Sequence, residues 1–157
     1  KRFHSTPKQI VDATDGEINW VARHFPLSMH GEQARVAART SECVAEHVGN
    51  RAFWVFSQMY FDNQRSSSSE ATREMALKTG IDESDLDSCV NSNEVRQAVQ
   101  EDYDFGRNAG VTGTPAVFIV HHESGSVRQM AGAVPAQQIQ QTIAQMKQSA
   151  TQSESDS

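Results

Sequence analysis

Apolar positions along the chain recur with two different periods, and the switches between them outline the fold. Ile10 and Val11 lie in a first helix that carries Pro7, a residue that bends a helix when it sits inside one. Ile18, Trp20 and Ala22 then alternate with Asn19 and Arg23, which predicts a strand ending at Pro26. From Gly31 to Val48 the apolar set Ala34, Ala37, Val44, Ala45 and Val48 falls at helical spacing, with Gly49 as the stop. Phe53, Trp54, Phe56, Met59 and Tyr60 crowd onto about two further helical turns and read as a hydrophobic centre, not a cofactor box.

Beyond them the serine run Ser66 to Ser69 reads as a loop, with Ser67 and Glu70 as a capping box for a helix through Met75 and Leu77 that Gly80 closes. Asp82 or Ser84 caps a short helix around Leu86 to Val90, and Val95, Val99 and Tyr103 mark a longer one ending near Gly106 to Gly110. Val117 to Val120 is an unbroken apolar run bounded by turn formers, which predicts a strand covered on both faces with Pro115 at its first position. Ser124, Gly125 and Ser126 form a hairpin turn leading to a return strand, Val127 to Ala131. Ile139, Ile143 and Met146 share one face of a last helix that opens after Pro135.

Composition narrows the function classes. The 157 residues suffice for one domain, or one domain with an insertion. A net charge of -6 with the signs interspersed gives no basic stripe, so nucleic acid is excluded as a partner. No apolar run approaches the roughly 20 residues of a membrane span. A metal is not expected either: His121 and His122 are adjacent and point to opposite faces of a strand, and His24 and His30 are six apart across Pro26. No cofactor motif is present. Cys43 and Cys89 are open to two readings, small buried hydrophobes or, as an even count, a disulfide pair.

Three blocks carry a resemblance. Gly110, Val111, Thr112, Gly113, Thr114, Pro115 and Ala116 are similar to the cis-proline segment of DsbA-like and DsbG-like thiol-disulfide oxidoreductases of the thioredoxin superfamily. Arg23, His24, Phe25, Pro26 and Leu27, with His30, Ala34, Ala37, Ala38, Glu42, Cys43, Phe53 and Trp54, resemble the strand-to-helix passage of that family. Lys1, Arg2, Phe3 and His4 resemble the helix that follows its dithiol. The likeness runs to about Lys147, and it implies an α/β thioredoxin fold with an all-helical insertion. On that basis 1–28 and 108–148 form the thioredoxin-like domain, 29–107 the insertion, and 149–157 a disordered tail, polar and acidic from Thr151 on.

The resemblance also implies what the sequence lacks. The family's chemistry belongs to a Cys-x-x-Cys pair at the start of its first helix, and no such pair occurs between Lys1 and Ser157. The expectation is therefore a first strand and a dithiol upstream of Lys1, with residues 1–157 inactive alone; without that strand, neighbouring strands would leave buried backbone groups unsatisfied at about 1–3 kcal/mol each. By resemblance Thr114 and Pro115 are the active-site residues present. Thr114 would tune the sulfur through its hydroxyl, while Gly113, Thr114 and Pro115 would bind substrate by leaving the Thr114 backbone free to pair with an extended peptide. Lys1 and Arg2 would either stabilise the thiolate or be solvated cations, and His4 is a surface residue near the same place. Relatives with a second bridge in the insertion give Cys43 and Cys89 a structural-disulfide reading. The implied function is disulfide oxidation or isomerisation of unfolded or partly folded protein substrates, with a redox partner protein, one in the membrane included, in the periplasm or another export compartment. Two alternatives are a redox-inactive peptide-binding module and a kappa-class glutathione transferase-like enzyme.

Overall fold

A computed structural model describes residue 3, residues 5–63 and residues 68–155, with the side chains of 153–155 left out. The element order is α1 (Ser5–Asp12), α2 (Gly31–Val48), α3 (Asn50–Asp62), α4 (Ser69–Leu77), α5 (Glu83–Asn91), α6 (Asn93–Asn108), β1 (Ala116–His121), β2 (Ser126–Ala131) and α7 (Ala136–Ser155). A single 3-10 turn, Ser28–His30, leads into α2. The chain divides into two compact units, one spanning Ala22–Thr112 and the other built from the residues up to Val21 and those from Gly113 on.

The first unit is all helical, and α2 is its hub, packing against α3, α4, α5 and α6. Its inward face is made of small residues, Ala37, Ala38, Thr40, Ser41, Cys43 and Val44, which let four helices approach closely. Cys43 and Val44 are fully buried among Phe56, Met75, Ala76, Ile81, Leu86 and Cys89. Cys43 and Cys89 form a disulfide, with Cα atoms 5.8 Å apart, that ties α2 to α5. The chain passes from α2 to α3 through Gly49 alone, whose φ of 106° lies where a side chain is strained and whose N–H closes on Ala45 and Val44.

Serine and aspartate caps start the later helices. Ser68 accepts from the Ala71 N–H at the head of α4, Asp82 from Ser84 at α5, and Ser92 from Val95 at α6. The predicted box partner Ser67 lies outside the described residues, as do Lys1, Arg2 and His4. Arg73 of α4 reaches across to Glu83 and Asp87 of α5; the hydrogen bonds it donates, first to Asp87 and then to Glu83, push its already high pKa higher.

In the second unit β1 and β2 pair antiparallel, with Ala116 opposite Ala131 and His121 opposite Ser126. Ile10 of α1 and Ile139 and Met146 of α7 form its buried apolar set, α1 packs on α7, and Lys147 pairs with Glu17 at 2.7 Å. Pro7 falls in the first turn of the eight-residue α1, where its missing N–H costs nothing, so no interior kink arises.

Three expectations are corrected. The segment 18–22 alternates in burial residue by residue, yet it has no regular secondary structure and forms no ladder among the described residues, because a strand requires a hydrogen-bonded neighbour as well as a period. The run Val117 to Val120 is covered on one face only: α7 packs against β1, while Phe118 and Val120 are 37% and 48% exposed on the other face. The helix α7 continues through Ser155, past residue 149 where composition placed a disordered tail, since Gln, Ala and Ser permit helix even without an apolar face.

Two outcomes test this packing. Replacing both Cys43 and Cys89 by Ala, which opens a loop of 46 residues, should lower unfolding free energy by up to about 4 kcal/mol in denaturant titrations followed by tryptophan fluorescence. The Asp82 carboxyl is held below its ordinary value of 3.8, chiefly by the Ser84 hydroxyl and then the Ser84 N–H. Its contribution is thus complete above pH 3.8 and is lost as pH falls through the lower folded-state value; amide protection in the first turn of α5, measured against the intrinsic exchange rate at each pH, should fall in that range and stay constant between pH 5 and 7.

Candidate functional site

The strongest sequence signal, Thr114-Pro115, stands at the entrance of β1 with its peptide bond cis. Pro115 immediately precedes the first strand residue, Ala116, and its carbonyl accepts from the Gly132 N–H at 2.9 Å, extending the hairpin ladder by one bond. A proline fits there because the ladder asks it for an acceptor and not for a donor. Thr114 is exposed, Gly113 half-buried, and Thr114 has no hydrogen-bond partner among the described residues. Because β1 pairs only with β2, its other edge is likewise unpaired among the described residues. The arrangement offers backbone donors and acceptors beside a threonine hydroxyl, which is the chemistry an extended peptide needs.

In the helical unit the block from Arg23 to Phe25 is fixed by side chains where a ladder is lacking. The two carboxylate oxygens of Asp102 on α6 take the Arg23 guanidinium at 2.7 Å and the His24 backbone N–H at 2.8 Å. Nε2 of His24 meets Glu42 of α2 at 2.7 Å, and Ser41 stands 3.4 Å away while donating to the Ala38 carbonyl. The Phe25 ring stacks on Tyr103 at 4.7 Å, and the Arg23 guanidinium lies 5.4 Å from the Phe105 ring centre. Gly106 is required: a Cβ there would come within 2.7 Å of the Phe25 ring. His24 and Glu42 are thus brought together, as are Cys43 and Cys89.

The remaining candidates are dispersed. His121 is held in the hairpin turn, its Nδ1 accepting from the Ser124 N–H. Glu46, His47 and Cys89 place one ligand atom each within 4.8 Å of one another, but the Cys89 sulfur is already bonded to Cys43, and a metal needs the thiolate. Sequence analysis missed Asp102, which no local motif marks, and a cavity in the helical unit lined by Arg35, Arg39 and Arg96. The spacing of Arg35 and Arg39, one helical turn apart, was the only hint available.

Comparison with known proteins decides the family. Residues 16–144 match the DSBA-like thioredoxin domain. The chain belongs to this family. Its structure also resembles the crystal structure of DsbA2 from Pseudomonas aeruginosa, with a TM-score of 0.72 and 26% identity, over 92% of this chain and 79% of that one. No curated protein matches the chain. The DsbA-like fold is α/β, a thioredoxin fold with a helical insertion, and membership places the chain among thiol-disulfide oxidoreductases. Among the described residues no helix is long and apolar enough to cross a membrane.

The clamp on the DsbA-like block Arg23 to Phe25 is testable. Asp102 is only 13% exposed, and Asp102→Ala leaves the His24 N–H and the Arg23 guanidinium without their acceptor, so unfolding free energy should fall by about 1–3 kcal/mol in chemical denaturation.

Proposed function

We propose that the protein exchanges disulfides with extended or unfolded protein substrates, through a dithiol N-terminal to Lys1 and a peptide-binding edge formed by Gly113, Thr114 and Pro115. The observation that carries this reading is the family match over residues 16–144, with Pro115 at the head of β1 and Thr114 unpaired beside it among the described residues. Cys43 and Cys89 are the only cysteines between Lys1 and Ser157 and are bonded to each other inside the helical unit, so they serve as a structural staple and the reactive pair is a separate one.

Each site residue then has a task. The thiolate attacks a substrate disulfide and forms a mixed disulfide, which the second cysteine resolves as it forms its own disulfide or which a substrate thiol displaces. The free Thr114 backbone pairs with the substrate strand, and its hydroxyl hydrogen-bonds the sulfur. Pro115 brings no N–H into the site, which would otherwise have to be satisfied. A disulfide in the fold suits an oxidising compartment, which supports export to the periplasm and a redox partner there that resets the dithiol.

The test begins with the source protein. Intact mass before and after alkylation of the reduced, denatured protein should reveal two thiols beyond Cys43 and Cys89, and the protein should catalyse insulin reduction and refolding of a reduced substrate. Thr114→Val should move the equilibrium with glutathione by about tenfold, about 30 mV for the two-electron couple, while leaving the denaturation midpoint in place. A source protein with only two cysteines and no exchange activity would overturn this reading, and the redox-inactive peptide-binding module would then be tested by peptide titration.

A further inference from the structure

The helical unit contains a cavity of about 250 Å³ that the disulfide chemistry does not use, bounded by α2, α6 and the segment before α2. Three arginines are among its lining residues, Arg35 and Arg39 of α2 and Arg96 of α6, and no carboxylate residue is. Their compensation is incomplete. Glu32 lies 2.8 Å from Arg39 and 4.0 Å from Arg35, so one carboxylate serves two cations, and Arg96 has no ion pair among the described residues. The three arginines thus exceed the carboxylates paired with them by about two charges, carried by the exposed Arg35 and Arg96 at the rim of the recess.

A second observation points the same way. The Nε of Arg39 is buried and has no hydrogen-bond partner among the described residues, although its NH2 group is bonded to Glu32. Buried donors of this kind are normally satisfied, and a guanidinium fork is shaped to hold a planar or tetrahedral oxyanion through two parallel N–H groups. The floor is different in character: Val99 is buried, Pro26 is apolar, and the Tyr103 ring is held flat by its stacking on Phe25.

We propose that this cavity binds a small phosphomonoester, with the dianionic phosphate held by Arg35, Arg39 and Arg96 and a compact flat body resting on Pro26, Val99 and Tyr103. A phosphomonoester carries a charge of about -1.5 to -2 at neutral pH, which matches the local excess of arginine. Glu32 is then a built-in competitor, since it occupies guanidinium groups that the ligand needs.

Phenyl phosphate is the probe, titrated by calorimetry into the oxidised source protein at low salt. Saturable binding with half-saturation near about 1 mM is expected, at least tenfold tighter than inorganic phosphate and weakened by added salt. The double variant Arg35→Gln, Arg96→Gln alters exposed side chains and should weaken binding at least tenfold without moving the thermal midpoint of the free protein. Glu32→Gln should tighten binding several-fold, a change that a merely structural role for Glu32 would not produce. Absence of binding at about 10 mM, unchanged affinity in the double variant, or weaker binding in Glu32→Gln would overturn the site; inorganic phosphate binding as tightly as phenyl phosphate would overturn the organic body.

Discussion

The helical unit depends on one helix being small-sided where it is most crowded. Four helices pack on α2, and the residues it turns inward are alanine, threonine, serine, cysteine and valine, so its neighbours can approach the α2 backbone closely. Thr40 and Ser41 fit this face because a helical serine returns its hydroxyl to the backbone, as Ser41 does to the Ala38 carbonyl. The Cys43–Cys89 bond acts at the centre of that crowding, where Val44 and Phe56 already exclude water, so covalent and hydrophobic restraint coincide in one layer.

Two segments meet the same physical demand in different ways. Residues 23–25 satisfy a backbone N–H with a carboxylate from α6 and set an aromatic ring against a bare glycine backbone, a side-chain solution to fixing extended chain. The entrance to β1 uses main-chain pairing on one edge, through Gly132 and β2, and leaves Thr114 unpaired among the described residues. The first arrangement leaves the His24 N–H satisfied. The second keeps hydrogen-bonding capacity in reserve, as a surface that captures extended chain must.

Much of this was legible from local pattern. The limits of α2 followed from Gly49, those of α5 from Asp82, and the hairpin from Ser124, Gly125 and Ser126, because each is decided by residues within one turn of itself. Partners were not legible. Alternation around Trp20 matched the burial pattern but could not supply a neighbour to pair with, and the apolar run at Phe118 could not say which face would be covered. At the candidate sites the same division holds: the Thr114-Pro115 pair is contiguous and was seen, whereas Asp102 and Arg96 act on residues some 60 to 80 positions away and gain meaning only once α6 is folded against α2.

The second unit is discontinuous in sequence, its α1 drawn from before the helical unit and its β1, β2 and α7 from after it. During synthesis α1 therefore leaves the ribosome long before α7 exists to pack on it, while the whole helical unit, contiguous from Ala22 to Thr112, emerges between them. Vectorial translation thus imposes an order on assembly: the helices can condense on α2 as they appear, and Ile10 must remain solvent-exposed or chaperoned until Ile139 and Met146 arrive.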